Sequence, residues 1–209
     1  MPVTAKICGL STPETLDAAV AGGASHVGFV FFPPSPRNIG FDQARALASH
    51  VPSHVTKVGV FVDPDEAMLN AAIATGLDAV QLHKVTPERA AAIRSRIPVW
   101  VAVAVKTSAD LAAATPFIGA ADRILFDART PDNAALPGGM GLRFDWTLLQ
   151  SHRHTLPWAL SGGLDPANVA EAIRVTGASL VDVSSGVESA PGVKDVDKIA
   201  AFLKAVASL

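Results

Sequence analysis

The chain of 209 residues is poor in cysteine, with one, and poor in net charge, at a formal −2. A single cysteine excludes an internal disulfide framework. The near balance of charge, with lysines and arginines scattered along the chain, supplies no electrostatic footprint for nucleic acid or for an anionic membrane surface. No apolar run reaches the roughly 18 residues needed to span a bilayer. The start, Met1 to Lys6, lacks the basic-then-apolar order of a signal peptide. These absences predict a cytoplasmic protein without nucleic-acid or membrane partners, in which any anionic ligand is held by a local site. Sequence motifs are missing too. No Gly-x-Gly-x-x-Gly follows the first strand, where Cys8-Gly9-Leu10-Ser11 stands instead, and neither a P-loop nor a Gly-x-Ser-x-Gly elbow occurs. No His, Cys or carboxylate cluster has metal-ligand spacing, so no metal is expected, and His152 and His154 read as solvent-side polar residues.

What is present is a repeated alternation. Apolar residues make up 49% of the chain and charged ones 17%, the balance of a compact globule. Short β-branched runs recur at Val3 to Cys8, His26 to Phe31, Thr56 to Val62, Ala79 to Leu82, Val99 to Val105, Arg123 to Asp127, Trp158 to Ser161 and Leu180 to Ser184. Each is followed by an Ala- and Leu-rich stretch of helical character. Thr12-Pro13, Asp63-Pro64, Thr86-Pro87 and Asp165-Pro166 each place a capping side chain before a proline suited to the first helical position. Gly22-Gly23, Gly76 and Gly177 supply helix ends. Eight successive βα units in so short a chain predict an α/β fold, a (β/α)8 barrel occupying residues 1–209 as one domain.

Side chains alternate along a strand, so Cys8, Asp127, Asp182 and Ser184, all at strand carboxyl ends, are expected to point into the barrel mouth. Free cysteine is often a buried small hydrophobe, so Cys8 has a packing role open to it as well as a chemical one. Asp127 is a candidate acid or a cap for the next turn. Lys6, two residues before Cys8, is expected inside the barrel, either in an ion pair with Asp182 or favouring a thiolate at Cys8. The proline-stiffened loop Phe31 to Arg37 suits an arginine that grips a carboxylate or phosphate in a fixed fork, although a solvated Arg37 fits the same residues. His83 reads either as a ligand contact or as a satisfied polar group. After the seventh and eighth strands, Ser161-Gly162-Gly163 and Ser184-Ser185-Gly186 enter what read as helical segments. Glycines let backbone N–H groups approach an anion closely, and the last two loops of a barrel are a common phosphate site.

Taken in order, Lys6-Ile7-Cys8-Gly9, Ser35-Pro36-Arg37, Val58 to Phe61, Val80 to His83, Leu125-Phe126-Asp127, Phe144-Asp145-Trp146, Ser161 to Leu164 and Asp182 to Glu188 resemble phosphoribosylanthranilate isomerase over the whole chain. The resemblance implies a tryptophan-pathway step: an Amadori rearrangement, without a cofactor, of N-(5′-phosphoribosyl)anthranilate into 1-(o-carboxyphenylamino)-1-deoxyribulose 5-phosphate. It also implies Cys8 as base, Asp127 as acid, Arg37 as carboxylate anchor, Asp182 in contact with the substrate sugar, and Gly162, Gly163, Ser184, Ser185 and Gly186 around the phosphate. The chain departs from the family pattern at Lys84, where Gly is usual, and at Met140, where Thr is common. Two other readings use the same barrel: a phosphosugar enzyme of the indole-glycerol phosphate synthase or lysine-aldolase type, which would rely on Lys6 or Lys106, and a non-catalytic phosphosugar-binding module.

Overall fold

The β-branched runs form eight parallel strands hydrogen-bonded in chain order, with the eighth closing on the first. A computed structural model describes residues 2–131, 136, 138–150, 152–153 and 155–209. His154 lies outside the described residues. The strands are β1 (Thr4–Cys8), β2 (His26–Phe31), β3 (Thr56–Val62), β4 (Ala79–His83), β5 (Val99–Val105), β6 (Arg123–Ala128), β7 (Trp158–Leu160) and β8 (Leu180–Val183). These limits fall within one residue of those read from the sequence. Closure is made by Lys6 opposite Asp182 on one side of β1 and Cys8 opposite Gly28 on the other.

The helices depart more from expectation. Thr12 and Thr86 cap α1 (Pro13–Ala21) and α4 (Pro87–Arg94) as their Thr-Pro pairs predict. After β3 the cap is Asp65, and α3 (Glu66–Ile73) begins two residues late because Asp63 has a left-handed backbone, φ 42°. Asp165 caps a turn at Ala167 and Asn168, and α5 (Val169–Thr176) begins only after it. A capping residue before proline marks a turn as well as a helix start, which accounts for both shifts. The crossover after β5 is a 3-10 helix, Ser108–Phe117, with Pro116 inside it, where a missing N–H removes one helical hydrogen bond. Between β6 and β7 the described regular structure is the 3-10 turn Trp146–Leu149. After β8 come a 3-10 turn, Ser185–Val187, and a small hairpin, β9 (Glu188–Ala190) with β10 (Val193–Lys194). The remaining helices are α2 (Phe41–His50) and α6 (Val196–Ala207). No helix among the described residues is long and apolar enough to cross a membrane.

The barrel interior is stacked in layers. Its floor is apolar, formed by Val58, Ala79, Trp100, Leu125, Ala159 and Leu180. Above the floor lies Lys6, fully buried, its Nζ donating to Asp182 Oδ1 at 2.8 Å and to Gln81 Oε1 at 2.9 Å. The second Asp182 oxygen accepts from Ser161 Oγ at 3.1 Å. The next layer up holds Cys8, Val30 and Val60. Desolvating two ions costs several kcal/mol each, so the pair stands only because each ion is met by the other and by an added polar partner. Lys6→Met should therefore lower unfolding free energy in urea by about 3–5 kcal/mol, because it strands the Asp182 carboxylate. The double variant Lys6→Met/Asp182→Leu should recover most of that loss, and a double variant no more stable than the single one would contradict this account.

Candidate active site

Cys8 ends β1 on the inward face, and β2 leaves room for it. A Cβ at Gly28 would stand 2.9 Å from Cys8 Sγ and 3.1 Å from Lys6 Cε, so a side chain there would displace the thiol or the ammonium. Burial pushes the thiol upward from its usual range, with the Lys6 ammonium opposing, Asp182 reinforcing and Lys194 opposing. Cys8 and Lys6 share a face, as the alternation requires, and the expected Lys6–Asp182 pair is present.

Asp127, on β6, is 8% exposed and lines the same cleft as Cys8. Burial, followed by the Asp182 charge, raises its pKa to about 7. Its Oδ1 accepts from the Ala128 N–H at 2.8 Å, which leaves Oδ2 to carry the proton. Two glycines shape its surroundings: a Cβ on Gly138 would lie 2.5 Å from Oδ2, and one on Gly162 would lie 2.9 Å from Oδ1. His83 is buried beside the cleft. Burial, then the Lys6 charge, lowers its pKa to about 4, so it is neutral at pH 7. Lys6 occupies the Gln81 carbonyl oxygen, so the Gln81 amide nitrogen, 3.2 Å from His83 Nε2, is the donor and the imidazole proton sits on Nδ1. Lys84 has φ 55°, a left-handed conformation that glycine adopts without cost, which suits the glycine that the resemblance implies at this position. Of the two histidines read as solvent-side, His152 is half-buried and meets Phe126 edge-on at 5.9 Å.

Arg37 is not solvated. It is 5% exposed and grips Glu188 with both arms of a fork, Nε to Oε1 at 2.7 Å and Nη2 to Oε2 at 2.8 Å, while Nη2 also donates to the Gly139 carbonyl at 3.0 Å. Gly9 and Gly139 pack against it: Cβ atoms on them would lie 2.7 Å from its Cδ and Nη1. Lys194 Nζ donates to Glu188 Oε1 at 2.6 Å and to Ser184 O at 2.9 Å.

The two glycine loops line the cleft beside these groups. Gly162 and Gly163 have φ of 87° and 64°, and among the described residues their N–H groups have no intramolecular acceptor. Ser185 and Gly186 open the 3-10 turn, whose first N–H groups have no partner within it. A Cβ on Gly186 would overlap the Leu164 carbonyl oxygen, so the loops touch through backbone. Of the helical segments expected after these loops, the one after β8 is a single 3-10 turn, Ser185–Val187, and the one after β7, α5, begins only after the turn capped by Asp165. The Ser184 hydroxyl is engaged internally, donating to the Cys8 carbonyl at 3.2 Å. The whole cleft encloses about 820 Å³, including its open mouth. Among the described residues no group of three His, Cys, Asp or Glu side chains is placed to hold a metal ion.

The family model described as N-(5′-phosphoribosyl)anthranilate isomerase matches residues 5–205. The N-(5′-phosphoribosyl)anthranilate isomerase of Zymomonas mobilis subsp. mobilis is 55% identical over 210 residues, covering 99% of each chain. The chain belongs to the N-(5′-phosphoribosyl)anthranilate isomerase family. The Thermotoga maritima phosphoribosyl anthranilate isomerase structure superimposes with a TM-score of 0.88 at 40% identity, over 99% of this chain and 100% of that one. A phosphoribosyl anthranilate isomerase in complex with reduced 1-(o-carboxyphenylamino)-1-deoxyribulose 5-phosphate gives 0.86 at 39% identity, over 99% and 100%. Within this member of the isomerase family, sequence reasoning missed Gln81, Lys194 and the pairing of Glu188 with Arg37. Gln81 carried a usable signal, a polar residue inside an otherwise apolar strand run.

These shifts link folding to pH. The folded state keeps a proton on Asp127 that the unfolded chain releases near pH 4, so this stabilisation is complete below pH 4 and is lost as pH rises through 7. His26 and His83 have opposite sign. Burial sets both at about 4, below the unfolded value near 6.5, so their contribution is present above that value and is lost as pH falls through 4. Asp127→Asn removes the first contribution alone. Relative to the parent, the variant should gain stability between pH 4.5 and 7.5 in urea denaturation, and a difference independent of pH would contradict the assignment.

Proposed function

We propose that this chain, an isomerase of tryptophan biosynthesis, converts N-(5′-phosphoribosyl)anthranilate into 1-(o-carboxyphenylamino)-1-deoxyribulose 5-phosphate with Asp127 as acid and Cys8 as base. The observation that carries the assignment is a carboxyl with a pKa of about 7 and a thiol lining one cleft, on β6 and β1, with only β7 and β8 between them. A carboxyl that holds its proton near neutrality protonates the furanose oxygen, and the anilino nitrogen's lone pair opens the ring to an iminium. The iminium acidifies the C2′ proton. Cys8, as thiolate, removes it, and the resulting enolamine tautomerises to the ketose. Each step is a proton transfer, with the iminium as the electron sink.

Binding is assigned to the anionic ends of the substrate. Arg37 takes the ring carboxylate, Gly162, Gly163, Ser184, Ser185 and Gly186 surround the phosphate, and His83 and Asp182 face the sugar between them. The related structure holding a reduced phosphosugar product analogue supports a small phosphosugar ligand. The lysine-based alternative is disfavoured by Lys6, whose ammonium is engaged by Asp182 and Gln81. We read residues 1–209 as one catalytic domain working in the cytoplasm.

Conversion is followed by loss of substrate fluorescence. Cys8→Ser and Asp127→Asn should each lower kcat by about 10²- to 10⁴-fold with modest change in KM. Full activity in either variant would overturn the roles. With thiol and carboxyl as base and acid, kcat/KM should rise with pH to a plateau that begins near 7, where Asp127 titrates. In the residual activity of Asp127→Asn that inflection should be gone. An inflection that survives belongs to another group.

A further inference from the structure

The Arg37–Glu188 pair raises a problem of charge. A guanidinium gripped at both arms by a carboxylate is a neutral pair, and a neutral pair has little net pull on an incoming anion. Lys194 changes the count. Its side chain is 1% exposed, and its Nζ has three acceptors: Glu188 Oε1 at 2.6 Å, Ser184 O at 2.9 Å and Ser184 Oγ at 3.2 Å. The Ser184 hydroxyl spends its own proton on the Cys8 carbonyl, so all three contacts need a lysine hydrogen, and only the ammonium form carries three. Two cations therefore share one buried carboxylate, and the cluster carries net +1.

The outlet for that charge is Arg37. Its Nη1 has no protein acceptor among the described residues, and Arg37 lines the cleft. The cluster is held by the hairpin that follows β8. Glu188 and Lys194 are register partners across β9 and β10. Gly192, at the turn, donates to Glu188 Oε2 at 3.3 Å and lies so near the Pro36 carbonyl that a Cβ there would be 2.5 Å from the oxygen. The hairpin thus fastens the Arg37 loop. Lys198 also reaches Glu188, but at its main-chain carbonyl and from an exposed position, where water screens it.

We propose that Lys194 is a positioning residue that offsets the charge of Glu188, so that Arg37 meets the substrate's ring carboxylate with one net positive charge. The proposal rests on Arg37 as the carboxylate anchor and names the group that makes that anchor electrostatically effective. A buried charge within a few ångströms of the binding site is worth about tenfold or more in affinity for an anion.

The test compares two inhibitors by competition: reduced 1-(o-carboxyphenylamino)-1-deoxyribulose 5-phosphate, and the same compound without the ring carboxylate. In the parent protein the carboxylated compound should bind more tightly. Lys194→Met should weaken it roughly tenfold more than the carboxyl-free compound, which shares the phosphate beside Ser184, and Lys194→Arg should recover most of the preference. Equal weakening of both compounds would show a general structural role and overturn the proposal, as would an unchanged preference. Arg37→Met separates the two claims: loss of preference there but not in Lys194→Met refutes only the Lys194 role, whereas retention in Arg37→Met refutes the anchor itself. If Lys194→Met fails to fold, Glu188→Gln decides, since it keeps both cations. A folded Glu188→Gln protein should retain the preference, and its loss would overturn the charge account.

Discussion

The structure depends on one buried ion pair. Lys6 stands fully enclosed at the centre of the barrel, and its union with Asp182 across the β1–β8 seam governs the electrostatics of the layers above. Lys6 opposes the burial that holds the Cys8 thiol neutral, and it reinforces the burial that keeps His83 uncharged. Asp182 reinforces the burial that raises Asp127. The two members of the pair thus act on different groups: Lys6 draws the thiol toward thiolate and the imidazole toward its neutral form, Asp182 draws the Asp127 carboxyl toward its protonated form, and each is opposed by its partner. An apolar pair could close the barrel equally well, and often at no loss of stability, but would remove the largest charge acting on each of these groups. On the proposed acid and base roles, the ion pair is a functional feature housed in the core.

Glycine provides the space in which these cleft side chains sit. Gly28 stands against Cys8 and Lys6, Gly138 and Gly162 against Asp127, and Gly9 and Gly139 against Arg37. In each case a methyl group would fall inside van der Waals distance of the functional side chain. The functional groups are therefore packed against backbone, where rotamer freedom is small and desolvation nearly complete. Close backbone packing thus contributes both to the position of Asp127 and to its raised pKa.

The barrel was legible because its signals are local. Alternation along Thr56 to Val62 or Val99 to Val105 marks a strand without knowledge of its neighbours, and the order of eight such runs implies closure. The cleft-facing positions of Cys8, Asp127 and Asp182 followed from the same alternation. Asp63 and Asp165 show where local signals become ambiguous, since one side chain before proline caps either a turn or a helix. The pairings were less legible. Arg37 and Glu188 are separated by 151 residues, and nothing in either segment states that the hairpin after β8 folds back on the loop after β2. Lys194 sits in a two-residue strand too short to carry any periodicity.

On the proposed roles, the division of charge within the cleft lets acid and base coexist there. A general acid must keep its proton near neutrality, which a nearby excess of positive charge would oppose, whereas the base and the anionic substrate both favour such an excess. The groups that shift Asp127 are burial, Asp182, the Ala128 N–H and Lys6, and Lys6 is already met by a carboxylate. The Lys194 cation opposes the burial of Cys8, whereas the leading charges on Asp127 are Asp182 and Lys6. On the proposed roles, the Lys194 cation favours a Cys8 thiolate while burial and Asp182 keep the proton on Asp127. Because β7 and β8 separate β6 from β1, the barrel keeps the two electrostatic demands apart within one cleft.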